Sequence, residues 1–204
     1  MNKKDYKKEL KHLYSASAKK VEIVEVPQMN FLMIDGEGDP NTSQTFQDAV
    51  EALFSISYTL KFMIKKDKEG IDYGVMPLEG LWWADDMSQF SITNKDSWKW
   101  TLMIMQPEHV TALLVTEAIY QVEKKKSLPA LPKVRFESFC EGKAVQTMHI
   151  GPFSGEGPTI VKIHQYIHEH GFKLSGKHHE IYLSDIRKAA PAKWKTIIRQ
   201  AINV

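Results

Sequence analysis

The second half of this chain restates the first in outline, and that duplication constrains the fold more than any single motif. Val21 to Val26 alternates apolar and acidic residues as a strand does, and Pro27 ends it. Phe31-Leu32-Met33-Ile34 is a short apolar strand running into a turn rich in Gly36, Gly38 and Pro40. A helix follows, capped from Asn41, Thr42 or Ser43, with Phe46, Val50, Leu53, Ser57, Leu60 and Ile64 on one face. Gly74 to Trp83 reads as a strand, and Phe90–Thr93 with Trp98–Met105 as a hairpin. Pro107 opens a second helix to about Lys126, with Val110, Leu113, Leu114, Glu117 and Ala118 on its inner turns. After the linker 127–132 the pattern restarts. Val134–Glu137 matches the first strand, Val145–Ile150 the second, and Gly151, Pro152, Gly155 and Gly157 the turn. A helix then begins near Pro158, with Ile160, Ile163, His164 and Ile167 as its apolar stripe, and His179–Leu183 is the next strand. Lys193–Gln200 aligns with Lys99–Gln106, which sets Trp194 against Trp100.

Each repeat is therefore strand, strand, helix, strand, strand. The expected fold is α+β: a duplicated βαββ repeat with pseudo-twofold symmetry, helices covering antiparallel sheets, and a ligand cleft between the repeats. The boundaries that follow are an N-terminal arm or helix over 1–20, repeat one over 21–126, the linker over 127–132 and repeat two over 133–204.

A chain of 204 residues with 43% hydrophobic and 25% charged residues is long enough for a sizeable core and is neither disordered nor membrane-like in composition. No apolar run suits a bilayer and the Lys-rich N-terminus lacks a signal-peptide core, so a cytoplasmic protein without a membrane partner is expected. The net charge of +2 gives no nucleic-acid footprint. One cysteine, Cys140, excludes an intrachain disulfide and a Cys-based zinc site. Nucleotide-loop, dinucleotide and zinc-protease motifs are missing, as is the Gly-x-Ser-x-Gly elbow, so no cofactor and no metal are assigned. His178 and His179 are adjacent, so on a strand they point to opposite faces and do not chelate one ion.

One carboxylate breaks the repeat. Aligning Leu78 with Leu183 sets Glu180 against apolar Val75. On an alternating strand Glu180, Tyr182 and Ser184 share a face, while Ile181 and Leu183 share the other. If the Ile181 side meets the helices, the Glu180 side is left for a pocket, where poor solvation would raise the acid's pKa and fit it for proton transfer. A fixed counter-charge for a cation, or an exposed strand glutamate, are the other readings. The adjacent Trp82 and Trp83 face opposite ways, and flat rings suit stacking on planar ligands or cations. Met76 adds adaptable apolar lining.

Three runs, Met76–Trp83, His178–Asp185 and Lys195–Gln200, together resemble the GyrI-like small-molecule-binding family from about Val21 onward. The likeness is to its standalone branch, which carries a Gly-Leu-Trp-Trp motif, here Gly80–Trp83. That resemblance implies a duplicated βαββ fold with a ligand cleft, and it places Glu180 where a buried glutamate contacts cationic aromatic drugs. The branch also includes hydrolases that open the cyclopropane of DNA-alkylating cyclopropanoid toxins, which implies Glu180 as the residue that orients or deprotonates the water; strand geometry, which sets Tyr182 beside it, adds Tyr182 as the second catalytic candidate.

The expected function is binding of a planar hydrophobic or cationic aromatic ligand, followed by hydrolytic detoxification. Tyr73, Trp82, Trp83, Trp100, Met76 and His179 are the candidate ligand contacts. Non-catalytic multidrug binding or sensing, or interaction with a protein such as gyrase, is the alternative.

Overall fold

The computed structural model describes residues 2–67, 70–85 and 95–203. Its elements, in chain order, are β1 (Asn2–Lys4), α1 (Tyr6–Glu9), α2 (Lys11–Tyr14), β2 (Glu22–Val26), β3 (Met29–Glu37), α3 (Gln44–Lys66), β4 (Ile71–Tyr73), β5 (Leu78–Trp83), β6 (Lys99–Gln106), α4 (Ala112–Glu123), β7 (Arg135–Phe139), β8 (Gly142–Ile150), α5 (Gly157–Glu169), β9 (Lys173–Tyr182) and β10 (Lys195–Asn203). The class is α+β with antiparallel sheet, as the alternation and helical periodicity require. The first arm of the expected hairpin, Phe90–Thr93, lies outside the described residues. No helix among the described residues is long and apolar enough to cross a membrane.

Two compact units divide the chain. The first comprises residues 1–9, 29–76 and 82–139, and the second residues 10–28, 77–81 and 140–204. In the first unit β3 lies between β6 and β7, paired antiparallel from Asn30↔Gln106 to Glu37↔Lys99 on one side and from Met29↔Phe139 to Met33↔Arg135 on the other. A separate parallel pair, β1 with β4, ties the first residues down. In the second unit β8 lies between β2 and β10, and β10 in turn pairs with β9. The opening strands of the two repeats thus change places. Strand β2 comes from the first half of the sequence but belongs to the second unit, and β7 does the reverse.

The turn after each long strand sets the register. Gly38 N–H donates to the Trp98 carbonyl at 2.8 Å, and Gly151 N–H to the Trp194 carbonyl at 3.0 Å. Both glycines have positive φ, 96° and 142°, which only glycine adopts readily. Equivalent hydrogen bonds make Trp194 the counterpart of Trp98, two residues away from the expected match with Trp100. The Lys-Trp dipeptide that suggested the other alignment is a local coincidence.

Helix α3 starts as its sequence dictates: the Ser43 hydroxyl accepts from Phe46 N–H at 3.3 Å, and Ala49, Leu53, Ile56, Leu60 and Ile64 are buried. Two expectations need correction. Helix α4 begins at Ala112, capped by the Thr111 hydroxyl on Leu114 N–H, and not at Pro107. Its buried residues are Val115, Ala118 and Val122, leaving Leu113 83% exposed. Strand β5 starts only at Leu78, because Pro77 has no N–H for a ladder. Helix α5 has Pro158 in its first turn and packs Ile163 and Ile167 on Val145, Ile198 and Ile202.

Candidate functional site

The ladders of the second unit decide which way each β9 side chain points. Glu180 pairs with Ile198 and Ile198 with Thr147; Tyr182 pairs with Thr196 and Thr196 with His149; His178 pairs with Gln200 and Gln200 with Val145. Directly paired residues share a sheet face, and α5 packs on Ile198 and Val145. His178, Glu180 and Tyr182 therefore stand on the α5 side. The helix meets the Glu180 face and not the Ile181 face, contrary to the arrangement that the sequence suggested for a pocket.

Glu180 is enclosed, its side chain 12% exposed. His178 Nε2–H donates to one carboxylate oxygen at 3.0 Å and the Tyr182 hydroxyl to the other at 2.7 Å. Glu156 adds a smaller effect of the same sign on its charge. Burial by itself raises a carboxyl pKa, but His178, Tyr182 and Glu156 outweigh it and hold Glu180 below its ordinary 4.5. The expected raised pKa is thus corrected: the donors His178 and Tyr182, with a smaller contribution from Glu156, stabilise the anion more than desolvation penalises it. His164, on α5, has its own pKa lowered by burial and by the neighbouring His178.

A short turn completes the site. Phe153–Gly155 forms one 3₁₀ turn, and Glu156 follows as the residue that opens α5. The Glu156 side chain makes no capping bond; its backbone carbonyl takes Ile160 N–H at 3.0 Å. His149 braces the turn, one ring nitrogen 3.0 Å from Thr159 Oγ1 and the other donating to the Pro152 carbonyl at 3.1 Å. Phe153 is thereby set edge-on to Tyr182, ring centres 5.6 Å apart, and tilted on Trp194 at 4.9 Å. All three rings are half-buried. Trp194 is fixed by its Nε1–H to the Ala189 carbonyl at 2.8 Å.

The sequence expectation brings Glu180 and Tyr182 together correctly but omits Glu156, Phe153 and Trp194. The one available signal for Trp194 was its place in the repeat. Nothing in the local pattern marked Glu156.

His179 points to the other face and has a different role. Its Nε2 is 2.9 Å from Glu79 and its Nδ1 3.0 Å from Glu141, so both ring nitrogens donate to carboxylates and the ring is an imidazolium. Burial works against that charge, but Glu141 and Glu79 prevail and lift the pKa to about 9. Tyr14 donates to Glu79 at 2.7 Å. Arg199, fully buried, donates to the Leu13 carbonyl, to Gln146 and to Glu141 at 2.6, 2.9 and 3.4 Å. Two cations face two carboxylates, so the buried network balances in charge.

The remaining candidates belong to the first unit. Trp82 stacks on Phe46 at 5.9 Å and meets Trp98 edge-on at 5.6 Å, while Trp100 is edge-on to Phe46 at 5.3 Å. Tyr73 packs on Tyr6 and His109, and Met76 is buried. Trp83 is half-buried and, with Trp100, Ile34, Asp48 and Lys99, lines an open groove of about 540 Å³. Among the described residues no group of three or more His, Cys, Asp or Glu is arranged to hold a metal ion.

Comparison with known proteins agrees with this architecture. A family model described as the GyrI-like small molecule binding domain matches residues 19–201. The crystal structure of an uncharacterized conserved protein from Listeria innocua is 42% identical, with 98% of this chain and 99% of that one covered and a TM-score of 0.89. A hydrolase from the same organism is 41% identical over 99% of this chain and 100% of its own, with a TM-score of 0.88. The C-terminal domain of EcmrR shares the fold at 13% identity, covering 90% and 97% of the two chains with a TM-score of 0.56. No curated protein matches.

Proposed function

This chain belongs to the GyrI-like small-molecule-binding domain family, and from that premise we propose that it binds planar hydrophobic or cationic molecules at Glu180 and hydrolyses cyclopropanoid alkylators. The observation that carries the reading is an ionised, nearly enclosed carboxylate bordered by the half-buried rings of Tyr182, Phe153 and Trp194. A hydrolase at 41% identity over the whole chain supports the reaction class.

In the proposed reaction a water molecule placed by Glu180 attacks the cyclopropyl methylene. Its new C–O bond forms as the strained C–C bond breaks, and the electron pair moves into the dienone ring to give a phenolate. Glu180 receives the proton lost by the water, and that proton passes to the phenolate, so the net change is addition of one water. Positioning carries most of the rate, because ring strain supplies driving force and a carboxylate with a lowered pKa is a modest base.

That modest basicity favours a second reading, in which Glu180 is a fixed counter-charge and the protein only sequesters its ligand. Incubation with a cyclopropanoid alkylator followed by mass spectrometry separates the two. Gain of one water by the small molecule, lost in Glu180→Gln, is the expected result. An unchanged small molecule with saturable quenching of tryptophan fluorescence would leave binding alone.

A further inference from the structure

Three rows of side chains cross the α5 face of the second unit's sheet: Val145–Gln200–His178, Thr147–Ile198–Glu180 and His149–Thr196–Tyr182. Their polar groups find partners, with one exception. His178 and Tyr182 donate to Glu180, Gln200 to the Ser175 carbonyl, and Thr147 to the Ser17 and Lys20 carbonyls. His149 is held between Thr159 and the Pro152 carbonyl. Thr196 is 1% exposed, and its Oγ1 has no hydrogen-bond partner among the described residues. A buried hydroxyl with nothing to bond costs free energy, and such groups are almost always satisfied by protein or by an ordered water.

The register defines what Thr196 can reach. Leu183 N–H donates to the Lys195 carbonyl at 3.0 Å, so those two residues are a hydrogen-bonded pair. The antiparallel ladder alternates, which makes Thr196 and Tyr182 a non-hydrogen-bonded pair, Cα atoms about 4.5 Å apart and side chains at their closest. Glu180 is the diagonal neighbour of Thr196, about 7–8 Å away between Cα atoms. A threonine side chain is too short to touch the carboxylate across that diagonal, but two hydrogen bonds in series through one oxygen, about 5.5 Å end to end, span it. Each Glu180 oxygen accepts one hydrogen bond and keeps a second lone pair for the near end. Trp194 precedes Thr196 by two residues of extended chain, and Phe153 touches both Trp194 and Tyr182. The unused hydroxyl therefore belongs to the row that those rings border.

We propose that Thr196 is the second anchor of the water that Glu180 holds: its O–H donates to the water oxygen, the water donates one hydrogen to the Glu180 carboxylate, and a lone pair of the water is left directed at the ligand. The inference rests on the reading of Glu180 as a water-placing base and deepens it. A carboxylate alone lets a water swing about one hydrogen bond. A second contact from the neighbouring strand fixes the oxygen in place, and placement is where most of the rate arises. Thr196 keeps its own proton throughout, so the net change is still addition of one water.

Thr196→Val removes the hydroxyl at nearly constant shape, and Thr196→Ser keeps it. Two measurements test the assignment: crystal structures of wild type and Thr196→Val at a resolution that shows ordered water, and turnover of a cyclopropanoid alkylator. Wild type should hold one water within about 3.2 Å of both Thr196 Oγ1 and the Glu180 carboxylate, and the valine variant should lack it. In Thr196→Val, kcat should fall about a hundredfold while the ligand Kd from tryptophan quenching stays in place, and Thr196→Ser should recover most of the rate. A wild-type structure with no water bridging the two side chains, or an unchanged kcat in the valine variant, would overturn the inference. A wild type that binds the alkylator and never hydrolyses it would end the enzymatic reading. The wild-type crystal then decides on the bridging water by itself, as it also does if the valine variant does not fold.

Discussion

Glu180 lies directly across the β9–β10 ladder from Ile198, one of the residues on which helix α5 packs. The acid therefore sits beside the apolar seam of the second unit and not on an open sheet face. Its surroundings are supplied by the helix start and the turn before it, which explains how a charged residue is tolerated in a strand that is otherwise apolar.

Tyr182 donates one of the hydrogen bonds that keep Glu180 ionised. In Tyr182→Phe the ring stays and that donor is lost, so the Glu180 pKa should rise. Losing a hydrogen bond to a charged group costs about 1.5–3 kcal/mol. The pH at which ligand binding or turnover falls off on the acid side should move upward, as measured by fluorescence quenching or product formation across pH. An unmoved acid limb would show that the phenol does not support the carboxylate.

His179 dictates the alkaline limb of stability. Its folded pKa of about 9 lies above the ordinary 6.5, so its contribution is complete below pH 6.5 and is lost as pH rises through about 9. Glu141, held below 4.5, acts in the opposite sense and loses its contribution as pH falls through its folded value. His109 and His164, both held below 6.5, also weaken the fold in acid. Urea midpoints should therefore fall between pH 6.5 and 9, and in His179→Gln that alkaline slope should vanish. The variant itself should lose about 3–5 kcal/mol, since it strands buried carboxylates.

Gly36 lies beneath the Trp100 ring, which a Cβ at that position would strike. The clash involves a rigid aromatic in a filled core, so Gly36→Ala should cost about 1–3 kcal/mol in chemical denaturation. It should also perturb the near-ultraviolet circular dichroism that the tryptophans dominate. The same substitution at Gly74, which has nothing within 4 Å, should be close to neutral.

The face of α4 can be tested with one charge placed twice. Leu113→Glu adds an acid to an exposed position and should change stability by less than about 0.5 kcal/mol. Val115→Glu buries an unpaired carboxyl and should unfold the protein or nearly so.

What the sequence revealed was what depends on near neighbours. The stripe of Ile163 and Ile167 and the alternation of Glu180 with Ile181 follow from helix and strand periods, and both are present. The start of α4 was misplaced because Pro107 and Thr111 are both legitimate openings, and only the Thr111 hydroxyl finds an N–H to accept from. Glu79 was read as one letter of a strand motif. Its burial depends on His179, 100 residues further on, and no local pattern announces such a pair. The pKa of Glu180 went the opposite way because His178 and Tyr182, two residues away on the same strand, both donate to it, and strand alternation brings them to one face without announcing that they bond.

The exchange of β2 and β7 has a consequence for how this chain can be divided. A cut between residues 127 and 132 follows the sequence repeat, yet it separates β2 from its partner β8 and β7 from its partner β3. Each fragment would carry away a strand whose hydrogen bonds belong to the other and expose a bare sheet edge of its own. The two halves are alike in outline, and each holds a strand that the sheet of the other pairs with.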